Sequence, residues 1–208
     1  MNKSVCILAG GKSSRMGQNK SLLSIGENTV MERIVEELSH ISKDIFVISN
    51  DSLLYEDPQL RCYPDIPEYQ GKGPLAGLLT GLIEANREMV LLTACDMPFV
   101  SKEFALELFE MMENSQWDVC LPYFQGRSHP LFAVYHTRIL HELRNCLTQD
   151  ELSFKSLLQK LRVKTVTEKD LSKDLAKQLP TILFNMNTPD EYRKAKEIIH
   201  VQNNQKPY

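Results

Sequence analysis

Short apolar runs rich in β-branched residues alternate along this chain with segments whose apolar residues recur at helical spacing. That alternation restricts the fold more than any other feature. "SVCILA", followed by Gly10 and Gly11, reads as a buried first strand. "NTVMERIVEELSHI" reads as a helix: Thr29 and Glu32 have capping-box spacing, and Met31, Ile34, Val35 and Leu38 share an apolar face. "DIFVIS" and the shorter "RCYPD", which ends at Asp65, read as the next two strands. In "GPLAGLLTGLIEAN", Pro74 suits the first helical position and Leu75, Leu78, Leu79, Leu82 and Ile83 share a face. Gly77 and Gly81 leave one side of that helix smooth. "MVLLTACD" is a buried strand closing on an acid, and "SKEFALELFEMM" is a helix capped by Ser101 with Glu103 in its first turn.

Further on, "WDVCLPY" and "LFAVYH" read as strands around "FQGRSHP", residues 137–147 and 153–161 as helices, and "VKTVT" as a short strand. "TILFNMN" is expected to be a strand and "TPDEYRKAKEII" a helix opened by Thr188, Pro189 and Glu191. The implied fold is α/β, a three-layer sandwich with a mostly parallel twisted sheet. Right-handed crossovers gather the loops after parallel strands on one edge, where such sheets bind ligands. The hairpin-like 118–136 and the irregular 160–180 read as insertions that add one antiparallel strand. With no repeat or linker, a single domain is expected over 1–200, with a disordered tail at 201–208.

Composition removes several classes of function. Twenty-four basic residues against 27 acidic ones give a net charge of -3, which argues against non-specific nucleic-acid or membrane partners. No apolar run approaches a membrane span, and "VCILA" is too short for the core of a signal peptide. The 5 cysteines are far apart, form no Cys-x-x-Cys pair, and read as free thiols of a cytoplasmic protein.

The chemistry begins in "LAGGKSSRMGQNK", Leu8 to Lys20. A Walker A loop would need glycine where Cys6 stands, and a dinucleotide fingerprint would need glycine at Lys12, so both fail. The stretch is nevertheless suited to phosphate. Gly10 and Gly11 let backbone N–H groups approach an anion, and Lys12, Arg15 and Lys20 supply cations around the bend at Gly17. A solvated basic turn after a strand is the bland alternative for the Gly-Gly-Lys alone.

The whole string resembles the signature of nucleotidyltransferases with the glycosyltransferase-A-like, Rossmann-like fold, and most closely that of molybdenum cofactor guanylyltransferases. "GPLAGL", "CDMPF", "HPLFA" and "FNMNTPDE" resemble that family's successive motifs, in order, from about residue 5 to 195. Related cofactor cytidylyltransferases usually carry Asp-Gln-Pro in place of "DMP". The resemblance implies an enzyme that transfers GMP from GTP to the terminal phosphate of molybdenum-bearing molybdopterin, releasing pyrophosphate. GTP and molybdopterin are then the substrates, Mg2+ the cofactor, and molybdoenzymes or cofactor-insertion proteins the transient partners.

It also implies site residues. Asp96, ending its strand, would ligate magnesium, which takes one or two carboxylates plus phosphate oxygens. Lys20 would contact the α-phosphate and Arg15 the triphosphate, making Arg15, Lys20 and Asp96 the catalytic set. Leu8, Ala9, Gly10 and Gly11 would present backbone groups to the nucleotide, with Asn50 and Asp65 as further contacts. Ser49 replaces Asn50 if the match shifts by one. Asn19 stands where many relatives carry Asp. Gly73 to Gly77 either read the guanine edge or serve packing. Asn185 and Asn187 either position the metal or second substrate, or cap the last helix. His129, beside Arg127, either touches the pterin phosphate or is merely solvated. Two rivals remain: a transferase of the same fold taking CTP or a sugar phosphate, and a non-catalytic adaptor for the cofactor.

Overall fold

The structure is a computed structural model that describes residues 3–10, 20–51 and 60–204. Its central sheet is built from β1 (Lys3–Leu8), β4 (Ile45–Ile48), β5 (Arg61–Tyr63), β6 (Met89–Ala94), β7 (Val119–Phe124), β9 (Phe132–His136) and β10 (Val163–Val166), in spatial order β10-β7-β9-β6-β1-β4-β5. A two-residue strand, β8 (Arg127–Ser128), folds back on β7. β1 pairs in parallel with β4 and β6, β4 with β5, and β7 with β10. Only β9 opposes them along this order, being antiparallel to both β6 and β7. The mostly parallel sheet and its antiparallel insertion therefore stand as expected. A separate small hairpin, β2 (Ser24–Ile25) with β3 (Asn28–Thr29), was not foreseen, because two-residue strands carry no periodicity to read.

Helices cover both faces. α1 (Val30–Ser39), α3 (Lys102–Met112), α6 (Lys173–Ile182) and α7 (Pro189–Asn204) share one apolar core with Val5, Ile7, Val47, Leu91, Phe132 and Val134 of the sheet. α2 (Pro74–Glu84), α4 (Leu140–Thr148) and α5 (Phe154–Leu158) share the other with Cys6, Phe46, Leu92, Ala133 and Tyr135. Neighbouring strand residues fall in opposite cores, as a sheet buried on both sides requires.

The caps explain where the helices start. Thr29 accepts the N–H of Glu32 at 3.2 Å while the Glu32 carboxylate accepts the Thr29 N–H at 2.7 Å, so the expected box opens α1. Ser101 accepts the N–H of Phe104 at 3.1 Å at the head of α3. In α2, Leu75, Leu78, Leu79 and Leu82 are buried, but Ile83 is 38% exposed and does not share their face. Gly77 and Gly81 face β1: a Cβ would lie 2.8 Å from Leu8 Cδ2 at the first and 2.4 Å from Cys6 Sγ at the second. The smooth side of α2 is thus a packing surface that brings its backbone down onto the first strand.

Two expectations fail near the C-terminus. "TILFNMN" is not a strand: Thr181 and Ile182 end α6, and the residues up to Thr188 are irregular. The stretch 160–180, expected to be irregular, contains most of that helix. Leu175, Leu179, Ile182 and Leu183 are buried at helical spacing, a signal masked by Pro180 inside the last turn. The Leu183 N–H still reaches the Leu179 carbonyl at 2.9 Å, so the proline does not end the helix. The helix expected over 137–147 opens as a 3-10 turn, Thr137–Ile139, before α4, and that expected over 153–161 shortens to α5. α7 continues through Asn204, into the segment expected to be a tail.

Candidate active site

β1, β4, β5 and β6 all end on one edge, and their last backbone bonds run into the loops beyond. The Ala9 N–H reaches the Ile48 carbonyl, the Ser49 N–H that of Tyr63, and the Cys95 N–H that of Leu8, each at 2.9 Å. These bonds hold Ala9, Gly10, Ser49, Asn50, Cys95 and Asp96 as a rim. Inside it lies a cavity of about 630 Å³, lined also by Leu8, Lys20, Asp65, Gly71, Gly73 and Gly77. A volume of that order suits a small-molecule ligand. Of the expected nucleotide contacts, Leu8, Ala9, Gly10, Lys20, Asn50, Asp65 and Asp96 therefore converge on one cavity. Gly11 and Arg15 lie outside the described residues, as do Lys12, Gly17 and Asn19.

The cavity walls differ in chemistry. On one side the backbone is bare: Gly10, Gly71 and Gly73 have no atom within 4 Å of where a Cβ would stand. Gly71 and Gly73 have φ of +81° and +77°, a region that L side chains rarely enter. Between them Lys72 turns away, its ammonium donating to the Leu147 carbonyl at 2.9 Å and pairing with Asp150 at 2.6 Å. At the β4–β5 rim, Asn50 and Asp65 bond reciprocally: the Asn50 amide donates to the Asp65 carboxylate at 2.8 Å, and the Asp65 N–H donates back at 3.0 Å. Gln70 adds a third bond, to the Asn50 amide oxygen, at 3.3 Å.

The charged pair stands beyond the end of β6. Lys20 Nζ lies 3.8 Å from Asp96 Oδ2 and donates to Asn187 Oδ1 at 2.6 Å. The Asp96 side chain is 20% exposed, yet its Oδ1 is buried with no hydrogen-bond partner. Burial raises the Asp96 carboxyl above its ordinary range; the Lys20 ammonium opposes that rise, and the nearby Glu191 charge adds to it. A buried carboxylate oxygen without a partner is costly unless something occupies it. Among the described residues no cluster of three His, Cys, Asp or Glu side chains could cage a metal alone. The donor set therefore fits a hard divalent cation that takes one protein carboxylate and completes its shell with phosphate and water oxygens. The neighbouring Cys95 thiol is pushed up to about 12, by burial first and by Asp96 second, which favours the protonated form.

Of three further residues expected near the site, two take other positions. The Asn185 amide turns back onto the Leu183 carbonyl at 3.2 Å. His129 is not part of the cavity lining, whereas Leu131 is. The His129 Nε2 is buried and unpartnered, and burial lowers its pKa, favouring the neutral ring. Asn187 does reach the site, but against Lys20. The residue sequence reading missed is Glu191, taken only for a cap: its Oε2 accepts the N–H groups of both Asn187 and Thr188, at 2.7 and 2.8 Å. The spacing of four between Asn187 and Glu191 was the available signal.

Known proteins share the sequence family and the fold. The family model described as a MobA-like NTP transferase domain matches residues 5–166. A probable molybdenum cofactor guanylyltransferase of Bacillus cereus is 35% identical over 195 residues, 92% of this chain and 94% of that protein. One from Carboxydothermus hydrogenoformans is 34% identical over 201 residues, covering 97% and 98%. The crystal structure of molybdopterin-guanine dinucleotide biosynthesis protein A from Archaeoglobus fulgidus superposes with a TM-score of 0.82 at 25% identity, covering 95% of this chain and 99% of that one. The parallel sheet, the cavity at its carboxyl edge and these matches lead to one conclusion: the chain is a nucleotidyltransferase and belongs to the MobA-like NTP transferase family.

Proposed function

We propose that the protein transfers GMP from GTP to the terminal phosphate of molybdenum-bearing molybdopterin, with pyrophosphate as the second product. The observation that carries the reading is the Asp96 carboxylate at the open edge of the sheet, with Oδ2 facing Lys20 and Oδ1 buried without a partner. The choice of guanine and of acceptor follows the names of relatives matched over nearly their full length.

Both reactants are anions, so the site must offset repulsion and hold them in line. No protein nucleophile is required, since the attacking phosphate oxygen is already ionised. Gly10 and the Gly71–Gly73 turn offer bare backbone to the nucleotide, and the Asn50–Asp65 pair a fixed polar edge for its ribose or base. Lys20 places its ammonium where charge grows on the α-phosphate oxygens, and Arg15 is assigned to the triphosphate. Asp96 would hold Mg2+; bound there, the ion neutralises phosphate charge and orients the leaving pyrophosphate. Five free thiols suit a reducing cytoplasm as the setting.

A thermal-shift panel of GTP, CTP, ATP and UTP, with and without magnesium, tests the reading. Ligand that binds only the folded state raises the melting temperature by mass action. A magnesium-dependent shift confined to GTP is expected; equal shifts for all four would remove the guanylyl assignment.

A further inference from the structure

Lys20 stands between two acceptors of unequal strength. Its ammonium donates to the neutral amide oxygen of Asn187 at 2.6 Å, while the charged carboxylate of Asp96 is 3.8 Å away. An unrestrained ammonium favours the charged acceptor, because charge-assisted bonds are shorter and stronger. Asn187 is restrained from behind. Its N–H is donated to Glu191 Oε2 at 2.7 Å, and that oxygen also receives the Thr188 N–H at 2.8 Å and the Thr188 hydroxyl at 3.1 Å. A capping box needs only the cap residue's own N–H; the additional bond fixes the residue before the cap. The Met186 N–H, donated to the Asp96 carbonyl at 2.8 Å, fastens the same segment to the end of β6. One short stretch thus grips both members of the Lys20–Asp96 pair and keeps them apart.

We propose that Asn187 is a positioning residue that holds Lys20 off Asp96, leaving the carboxylate open to a divalent cation and the ammonium turned toward phosphate. This rests on the guanylyltransferase reading. Without the amide, Lys20 closes on Asp96 and competes with the metal for it.

The test is Mn2+ binding to the full chain in the presence of a non-cleavable GTP analogue, followed by electron paramagnetic resonance, beside kcat and KM for GTP. In Asn187→Ala, Mn2+ affinity is expected to fall about tenfold, the usual scale for losing a residue that orients a metal ligand. kcat should fall with it, and KM for GTP should change far less. A crystal structure of the variant should show Lys20 drawn onto Asp96. Thr188→Ala weakens the same helix cap but leaves the Asn187 amide; it should lower the melting temperature and keep wild-type Mn2+ affinity. If Asn187→Ala does not fold, Asn187→Ser, too short to reach the ammonium, carries the same expectation. Wild-type Mn2+ affinity in the Asn187 variants, or an equal loss in Thr188→Ala, overturns the proposal alone. A wild-type protein that binds no Mn2+ with the analogue overturns it together with the reading beneath it.

Discussion

Asp96 combines two properties that seldom coexist in a merely structural carboxylate. One oxygen faces a cation at 3.8 Å and the other is buried without a partner. Asp96→Asn keeps shape and volume but removes the charge that holds a metal. It should fold with a melting temperature at or above that of wild type, since burial disfavours the native charge, while kcat falls by at least about 10²–10³-fold. Steady-state turnover and a thermal melt on the same sample check this; near-normal turnover would take Asp96 out of the mechanism. At this scale the sequence was informative about identity and less so about contact. Leu8, Lys20, Asn50, Asp65 and Asp96, which line one cavity, could be singled out because each stands at the end of a readable strand or in a motif. The Asn187–Lys20 bond was not legible, because it joins residues 167 apart and depends on how an irregular segment lies against β6.

Among the elements, the seam between α2 and β1 is the tightest that the described glycines record. A Cβ on Gly81 would stand 2.4 Å from the sulfur of Cys6, itself wholly buried. Gly81→Ala gains helix propensity but must push the helix from the sheet, so a net loss of roughly 1–3 kcal/mol is expected from denaturant unfolding. The strand ends opposite the cavity are tied by carboxylates. Asp118 accepts the Arg162 N–H, Nε and Nη2 at 3.0, 3.0 and 2.7 Å, which joins the foot of β7 to that of β10. Those bonds from Arg162, assisted by its charge and that of Arg138, hold the Asp118 carboxyl below its ordinary value against the effect of burial. At the foot of β4, burial alone would raise the Asp44 carboxyl. Bonds from Ser4 and Asn86 and the Arg61 charge outweigh it and hold that group low as well.

A depressed folded-state pKa contributes stability above the unfolded value, and that contribution is lost as pH falls through the folded one. Stability measured by urea unfolding should therefore decline below about pH 4, the ordinary carboxylate range. Asp118→Asn should shallow that decline and cost on the order of 1–3 kcal/mol at neutral pH. An unchanged acid limb would show that the pair contributes nothing. Periodicity made α1, α3 and α7 legible because their caps and apolar faces agree, and α2 because Pro74 opens it and Leu75, Leu78, Leu79 and Leu82 share its buried face. It misled at 181–187, where the preceding Pro180 and a run of apolar residues imitate a break followed by a strand, although Leu175, Leu179, Ile182 and Leu183 are buried at the helical period.

For the molecule as a whole, the two-sided sheet leaves its open space at one edge. Both faces are filled by helices, so the carboxyl edge is the place where several parallel strands release their chains around open space. This much follows from strand–helix alternation; the antiparallel β9 between β6 and β7 leaves that edge intact. The identity of the base and of the phosphate acceptor did not follow from it, since a cavity of this kind serves many nucleotides. A crystal structure with GTP and magnesium tests the central claim most directly. The triphosphate is expected between Gly10 and Lys20, with the metal against Asp96 Oδ1. A nucleotide lodged away from that edge, or a metal bound without Asp96, would contradict it.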